Sequence, residues 1–132
     1  MKLENFEFSK NLIALEVSGQ HIDLHNLYEL TAHEYSGSTL TLNWRKTNEV
    51  DVPQRLPNWV RLVVSDVEYF DIRGKPTDGL DEFGFFPNDT LGKVEYNGIH
   101  HPESGTEVLV FRFCGGGDIA VIGGSARVEK SL

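Results

Sequence analysis

The sequence predicts an all-β domain, either an antiparallel β-sandwich or a partly open barrel of about eight strands. Short segments that alternate apolar and polar residues recur along the chain, and turn residues separate them. The stretch Glu107–Lys130 contains two such segments joined by glycines. There is no fixed-period repeat and no linker, so we expect a single β domain over residues 1–132.

This glycine-rich stretch predicts the central hairpin of the fold. With Gly116-Gly117 as a two-residue turn, Phe113 pairs with Ala120 and Phe111 pairs with Ile122. Both faces of the hairpin are then apolar, which is typical of a pair covered on both sides or of a subunit contact. One face carries Leu109, Phe111, Phe113, Ala120 and Ile122, and the other carries Val108, Val110, Arg112, Cys114, Ile119 and Val121.

Beyond the hairpin, the alternation continues through Gly123-Gly124 into Ser125–Lys130. It predicts one long strand kinked at these glycines, and not two strands, with its second half half-buried.

In the N-terminal third, Phe6 to Phe8 and Asn11–Val17 predict strands, and Ser18-Gly19-Gln20 predicts a turn. Residues His21–Tyr35 are ambiguous. We favour a strand that precedes a hairpin turn at Ser36-Gly37-Ser38; a short helix capped by Asp23 is the alternative. The inward-facing residues of that strand would be Tyr28, Leu30 and Ala32.

The middle of the chain predicts strands at Thr39–Arg45 and Trp59–Val64, separated by a proline-containing loop over Thr47–Asn58. A bulge or a tight bend at Ser65-Asp66 then leads to extended structure over Val67–Ile72. The inward-facing residues are Leu40, Leu42, Trp44, Val60, Leu62 and Val64, whereas Trp59, Arg61 and Val63 should face outward.

The region from Arg73 to Thr106 has the least regular pattern. Asp78 could cap one helical turn over Gly79–Phe83 that ends at Gly84. Further along we expect a turn at Pro87 and Asn88-Asp89, a short strand at Lys93–Tyr96 and a loop over Asn97–Thr106.

Composition excludes several classes of function. The net charge is −8, from 20 acids and 12 bases, which argues against binding nucleic acid through its phosphates and permits a basic protein partner. No apolar run reaches the ~20 residues needed to span a bilayer, and the N-terminus has no apolar signal core. The single cysteine, Cys114, suits a reducing cytosol, and we expect it to be a small buried hydrophobe.

No motif predicts a catalytic residue, a metal site or a cofactor. His21 and His25 are four residues apart, which would bring them together on a helix but leaves them about 13 Å apart on a strand. A further possibility is that His100-His101 joins His21 and His25 in space. Asp66 and Asp71 could be considered as a general acid and a general base. Such a pair needs two environments that give the carboxyl groups different pKa values, and nothing in the sequence indicates them.

The most informative surface is the acidic–aromatic segment, which we define as Asp66–Asp89. It contains seven acids and two bases, a net charge of −5, interleaved with five aromatic residues. It could form a protein-binding surface with aromatic anchors and steering charge; alternatively, its aromatics plug the end of the core and its acids are solvated. The binding candidates are Tyr69, Asp71, Asp78, Asp81, Glu82, Phe85 and Phe86.

The runs WVRLVVSDVEYF, DEFGFF and VLVFRFCGGGDIAVIGGSARV resemble small bacterial all-β domains of unassigned function, among them polymorphic-toxin immunity proteins. The resemblance covers about two-thirds of the chain and consists of hydrophobic spacing and glycines. It implies a cytosolic protein that binds and blocks a toxin, often a nuclease with a basic active site. It supplies no catalytic residue to carry over.

We therefore expect a non-enzymatic, cytoplasmic protein that binds another protein, with the acidic–aromatic segment at the interface. The rival expectation is a small-molecule-binding or hydrolytic barrel with a cavity lined by Trp44, Trp59 or the histidines. A homodimer through the second apolar face of the hairpin is a third possibility.

Overall fold

The computed structural model of the chain describes residues 1–10, 13–47, 55–87 and 107–131, with Phe86 and Pro87 described by their backbone only. These residues form an all-β fold without a helix, and the sheets do not close into a barrel, as the sequence predicted. The described strands are β1 (Lys2–Leu3), β2 (Glu7–Phe8), β3 (Ala14–Val17), β4 (Gln20–Asp23), β5 (Tyr28–Ser36), β6 (Thr39–Lys46), β7 (Trp59–Ser65), β8 (Tyr69–Arg73), β9 (Leu80–Pro87), β10 (Glu107–Phe113), β11 (Asp118–Ile122) and β12 (Ser125–Lys130).

These twelve described strands form three sheets. A five-stranded sheet has the order β1-β12-β7-β6-β5, a four-stranded sheet has the order β8-β11-β10-β9, and β2-β3-β4 form a third. One pairing departs from the predicted antiparallel arrangement: β1 runs parallel to β12. The N–H of Lys2 donates to the carbonyl of Gly124 and that of Glu4 donates to Ala126. Nowhere in the described ranges is there a helix long and apolar enough to cross a membrane.

The main core is built from residues of all three sheets. The inward faces predicted for β6 and β7 are confirmed, since Leu42, Trp44 and Leu62 are each at most 1% exposed. The ring of Trp44 lies 5.9 Å from that of Phe111 in the four-stranded sheet, so the two larger sheets share this core. Val63, expected to face outward, is 5% exposed. Its partners across the sheet are Thr41 and Arg127, whose side chains flank it on both sides.

The central hairpin exists, but its predicted turn and register are wrong. The N–H of Phe113 donates to the carbonyl of Gly117, and the N–H of Gly116 donates back to Phe113. These two bonds enclose a three-residue loop, and the register then places Phe111 opposite Ile119. Only Gly116 has the positive φ that the turn requires, at 102°. Gly117 is needed for a different reason, because a Cβ there would lie 2.2 Å from the backbone nitrogen of Pro76.

The three-residue shift in register exchanges the two faces of β11, because a shift by an odd number moves every side chain to the opposite face. Ile119 and Val121 belong to the main core together with Phe111. The second face forms a separate buried cluster, so the prediction that both faces are covered is confirmed. That cluster consists of Tyr69, Val108, Val110, Ala120 and Ile122.

The prediction of one long strand through Gly123-Gly124 is also wrong. β11 ends at Ile122 in the four-stranded sheet, and β12 begins at Ser125 in the five-stranded sheet. A Cβ on Gly123 would lie 2.6 Å from a methyl group of Val64, so this corner has no room for a side chain. Of the bulge or tight bend predicted at Ser65-Asp66, the structure has the bend: it is the matching corner, where the chain passes from β7 to β8. The predicted half-burial of β12 is confirmed.

Residues 21–35 are extended and not helical, but they belong to two strands, β4 and β5, and Asp23 caps the turn between them. Its Oδ1 accepts hydrogen bonds from the N–H groups of His25 and Asn26, at 3.0 Å each. The prediction that Ala32 faces inward is wrong. The register of β5 shifts between Leu30 and Ala32, and this bulge turns Ala32 to the exposed side.

The helical turn predicted over Gly79–Phe83 is instead the start of β9. The β9 backbone forms hydrogen bonds with β10, and this pairing outweighs the local preference of Asp78 for a helix cap. Asp78 has a φ of 67°, and its carbonyl accepts a bond from the N–H of Leu30. The features predicted at Asn88-Asp89, Lys93–Tyr96 and Asn97–Thr106 lie outside the described residues, as does most of the loop over Thr47–Asn58.

Candidate functional site

The exposed acids of the acidic–aromatic segment lie at two ends of the four-stranded sheet. Asp66 and Glu68 precede β8 and are exposed. Asp78 and Asp81, also exposed, lie at the other end, beside the β10–β11 loop. A five-residue strand is roughly 17 Å long, so these two pairs do not form one patch.

Several of the binding candidates have little free surface. Tyr69 and Asp71 are each 5% exposed, and the Oδ2 atom of Asp71 lies 3.6 Å from the Nε atom of Arg73. Glu82 forms an ion pair with Arg112. These candidates therefore present little net negative charge to a partner.

Phe85, a binding candidate near the end of the segment, belongs to the core side. Phe85 is half-buried, with its ring 5.6 Å from that of Phe8. Phe83 is fully buried between Phe8 and Phe111. Phe86 pairs with Val108 through its backbone, and its side chain lies outside the described part.

Four charged residues of alternating sign form a row across the four-stranded sheet. Arg73 lies opposite Asp118, Asp118 lies opposite Arg112, and Arg112 lies opposite Glu82. Cross-strand neighbours of opposite charge stabilise a sheet, and this row has no net charge. The sequence interpretation missed it because it follows from the register of three strand pairs.

An aromatic pair of the exposed Tyr35 and the half-buried Phe70 lies at the end of the sheet where Asp66 and Glu68 precede β8. The ring of Tyr35 is 4.4 Å from that of Phe70, and Tyr35 is 43% exposed. The N–H of Val67 donates to the carbonyl of Ser38 at 2.8 Å. This bond holds the β7–β8 corner, which carries the two acids, against the β5–β6 turn, which follows Tyr35.

The sequence alone did not identify Tyr35 as a surface residue. It was considered only as the end of a strand, because its contact with Phe70 joins residues 35 positions apart in two different sheets. The sequence feature that could have indicated an exposed Tyr35 is its position directly before the predicted hairpin turn at Ser36-Gly37-Ser38.

A second group joins residues that the sequence did not connect. One ligand atom each from His25, Asp81 and Cys114 lies within 4.8 Å of the others. His25 is in the β4–β5 turn, Asp81 is near the start of β9, and Cys114 begins the β10–β11 loop. His21, the histidine first considered with His25, instead pairs with Glu16 on β3.

Local backbone geometry directs each of these side chains. The β9–β10 register passes from the pair Arg112–Glu82 to the pair Phe113–Leu80, so Asp81 is the extra residue of a β-bulge. Such a bulge redirects a side chain away from the regular alternation. The predicted burial of Cys114 is wrong: its side chain is exposed, because the three-residue loop takes it out of the strand.

Glycines bring the three segments close together. A Cβ on Gly79 would lie 2.5 Å from the carbonyl oxygen of His25, and a Cβ on Gly115 would lie 2.0 Å from the Oγ1 atom of Thr77. The N–H of Cys114 also donates to the carbonyl of Gly79 at 2.9 Å. The segments are therefore held together by backbone contacts that do not involve the three side chains.

Within the described residues, one tryptophan is buried in the core and the other lies at the surface. Trp44 is 1% exposed within the core, and Trp59 lies at the surface with the Arg61 guanidinium 5.1 Å from its ring centre. The structure has an open groove of about 640 Å³ beside the first strands. Its lining includes Glu4, Glu7 and Glu16 but no tryptophan or histidine.

Tyr28, a buried tyrosine at the start of β5, has a raised pKa. Burial raises the pKa of Tyr28 to about 12, and its hydroxyl donates a 2.6 Å hydrogen bond to the carbonyl of Pro57. This bond ties the start of β5 to the segment before β7 and marks a structural position.

Comparison of the chain with protein-family models, with curated proteins and with solved structures gave no match.

Proposed function

We propose that this chain is a non-enzymatic, cytoplasmic domain that binds a protein with a basic surface, as the immunity proteins it resembles do. The observation that supports this is the Tyr35–Phe70 contact at the end of the sheet that also carries the exposed acids Asp66 and Glu68. The binding surface proposed from sequence is thereby narrowed to the beginning of the acidic–aromatic segment and extended to Tyr35.

The chemistry of this surface suits a basic partner. Exposed tyrosines are common anchors of protein interfaces because they bury a large area with few rotatable bonds. Tyr35 already packs against Phe70, so less side-chain freedom is lost on binding. The acids at this end of the sheet, together with the net charge of −8, would accelerate association with a basic protein.

The homodimer expected as a third possibility has less support. It required the second face of the hairpin to be open, yet Val108 and Val110 are at most 3% exposed in the single chain. We therefore propose a different protein as the partner.

The test uses a basic toxin domain encoded beside this chain in its genome, with affinity measured by calorimetry and association by stopped flow. We expect Tyr35→Ala to weaken binding by about 30-fold, the effect of losing a hot-spot residue. The double variant Asp66→Lys, Glu68→Lys should slow association, and most strongly at low salt.

The matched control reverses the same number of charges at the other end of the sheet, at the exposed acids Asp78 and Glu29. This control should change association far less, since both acids lie away from the Tyr35–Phe70 pair. Unchanged binding by Tyr35→Ala, in a variant that unfolds at the wild-type temperature, would refute the proposed anchor. A larger effect of the control would refute the placement of the interface.

A further inference from the structure

We propose that His25, Asp81 and Cys114 form a binding site for a divalent transition-metal ion of the zinc type. The three side chains come from separate elements and converge at the loop end of the four-stranded sheet. This site is distinct from the proposed protein-binding surface, which lies at the opposite end of that sheet.

The distances fit a site that closes around an ion. Metal–ligand bonds of about 2.0–2.3 Å in a tetrahedral site separate neighbouring ligand atoms by roughly 3.5 Å. The ligand atoms here lie within 4.8 Å of one another. Rotation of the exposed Asp81 and Cys114 side chains can therefore close the site without moving the backbone.

The hydrogen bond of the His25 ring is the kind that histidine ligands of metal ions make. Its Nδ1 atom is hydrogen-bonded to the carbonyl oxygen of Leu80, and because a carbonyl only accepts, Nδ1 carries the proton. The neutral ring then has its lone pair on Nε2. Histidine ligands in metal sites usually donate their other ring N–H to a carbonyl or carboxylate in this way.

The ligand set selects the kind of metal. A thiolate and an imidazole favour zinc and similar ions, whereas Mg²⁺ and Ca²⁺ prefer sites made of oxygen atoms. Three protein ligands leave a fourth position for water or for a group from a partner. No ion pair among the described residues competes for Asp81.

The test titrates reduced, chelator-treated protein with Co²⁺ and then Zn²⁺. Wild type should bind one Co²⁺ per chain with the absorption of a thiolate-to-cobalt charge transfer, and Zn²⁺ should displace it and raise the melting temperature. Cys114→Ser and His25→Gln should each weaken Zn²⁺ binding by about 100-fold or more, and Asp81→Asn by at least about 10-fold.

His21→Gln is the matched control, because His21 is an exposed histidine on the neighbouring strand that pairs with Glu16. It should bind Zn²⁺ as wild type does. Wild-type protein without the charge-transfer absorption, or Cys114→Ser with wild-type affinity, would overturn the proposal. Tyr35→Ala should keep full Zn²⁺ affinity, so failure of the protein-binding proposal can be told apart from failure of this one.

Discussion

In the β10–β11 pair, Phe111 lies directly opposite Ile119, and neither side chain has any exposed surface. The three-residue loop that precedes β11 sets this pairing. A two-residue turn would instead have placed Ile122 opposite Phe111, yet Ile122 belongs to the second buried cluster. The position and the length of this loop together therefore decide which apolar residues fill the main core.

This pairing can be measured with double-mutant cycles. We expect Phe111→Ala and Ile119→Ala to be coupled by at least about 0.5 kcal/mol in the free energy of unfolding, because the two side chains are in one core and directly opposite. Phe111→Ala and Ile122→Ala should be additive, since they lie on opposite faces of the sheet. Urea unfolding of the single and double variants measures both cycles. Stronger coupling to Ile122 than to Ile119 would contradict the register.

Replacing Gly117 or Gly37 by alanine should destabilise the fold, for a different reason at each position. Gly117→Ala should cost about 2 kcal/mol or more, because its Cβ would overlap the backbone of Lys75 and Pro76. Gly37 has a φ of 65° and open space around it, so Gly37→Ala should cost about 1–2 kcal/mol through conformation alone. Urea unfolding gives both values.

The asparagine variants separate these two causes. Asparagine tolerates positive φ, so Gly37→Asn should be more stable than Gly37→Ala. Gly117→Asn should be no more stable than Gly117→Ala, because the overlap with the backbone remains. Recovery of stability in Gly117→Asn would show that space is not what requires a glycine there.

Tyr28 should make the stability depend on pH in the alkaline range. Its folded pKa of about 12 lies above the ordinary value of 10.0, so the folded state retains a proton that the unfolded state loses. The resulting stability is fully present below pH 10 and falls as the pH rises towards 12, by up to about 1.4 kcal/mol per pH unit. Denaturant unfolding between pH 9 and roughly 12 measures this slope.

Tyr28→Phe serves as the control for that slope. It removes the titrating hydroxyl, and also its bond to Pro57 at a cost of about 1 kcal/mol. The variant should therefore be less stable at neutral pH, and its stability should fall less steeply above pH 10. An identical slope in both proteins would assign the effect to other groups.

The stability of the fold should depend on Arg73, because its guanidinium is a charge partner of the buried Asp71 carboxylate. Arg73→Ala removes the cation 3.6 Å from the Oδ2 atom, leaving a carboxylate that is 5% exposed without this charge partner. We expect a loss of about 1–3 kcal/mol, because an uncompensated buried charge is costly. Adding Asp71→Asn should recover part of this loss in thermal unfolding. A double variant less stable than Arg73→Ala would contradict this account.

The candidate sites were only partly predictable. Asp81 was identified from its place among acids and aromatics, but its partners were not. His25 was compared with the nearby His21, and Cys114 was expected inside the core. The bulge at Asp81 and the three-residue loop at Cys114 redirect these side chains, and neither follows from the alternation of residues.

The sequence by itself determined the all-β class, most strand positions and the inward faces of β6 and β7. Their alternation is local, and Leu40, Leu42 and Trp44 lie on one side of any extended backbone. Only the tertiary structure decided the register of the central hairpin, the change of sheet at Gly123-Gly124 and the meeting of His25, Asp81 and Cys114. Each of these depends on backbone hydrogen bonds and close packing between distant segments, which no short stretch of sequence contains.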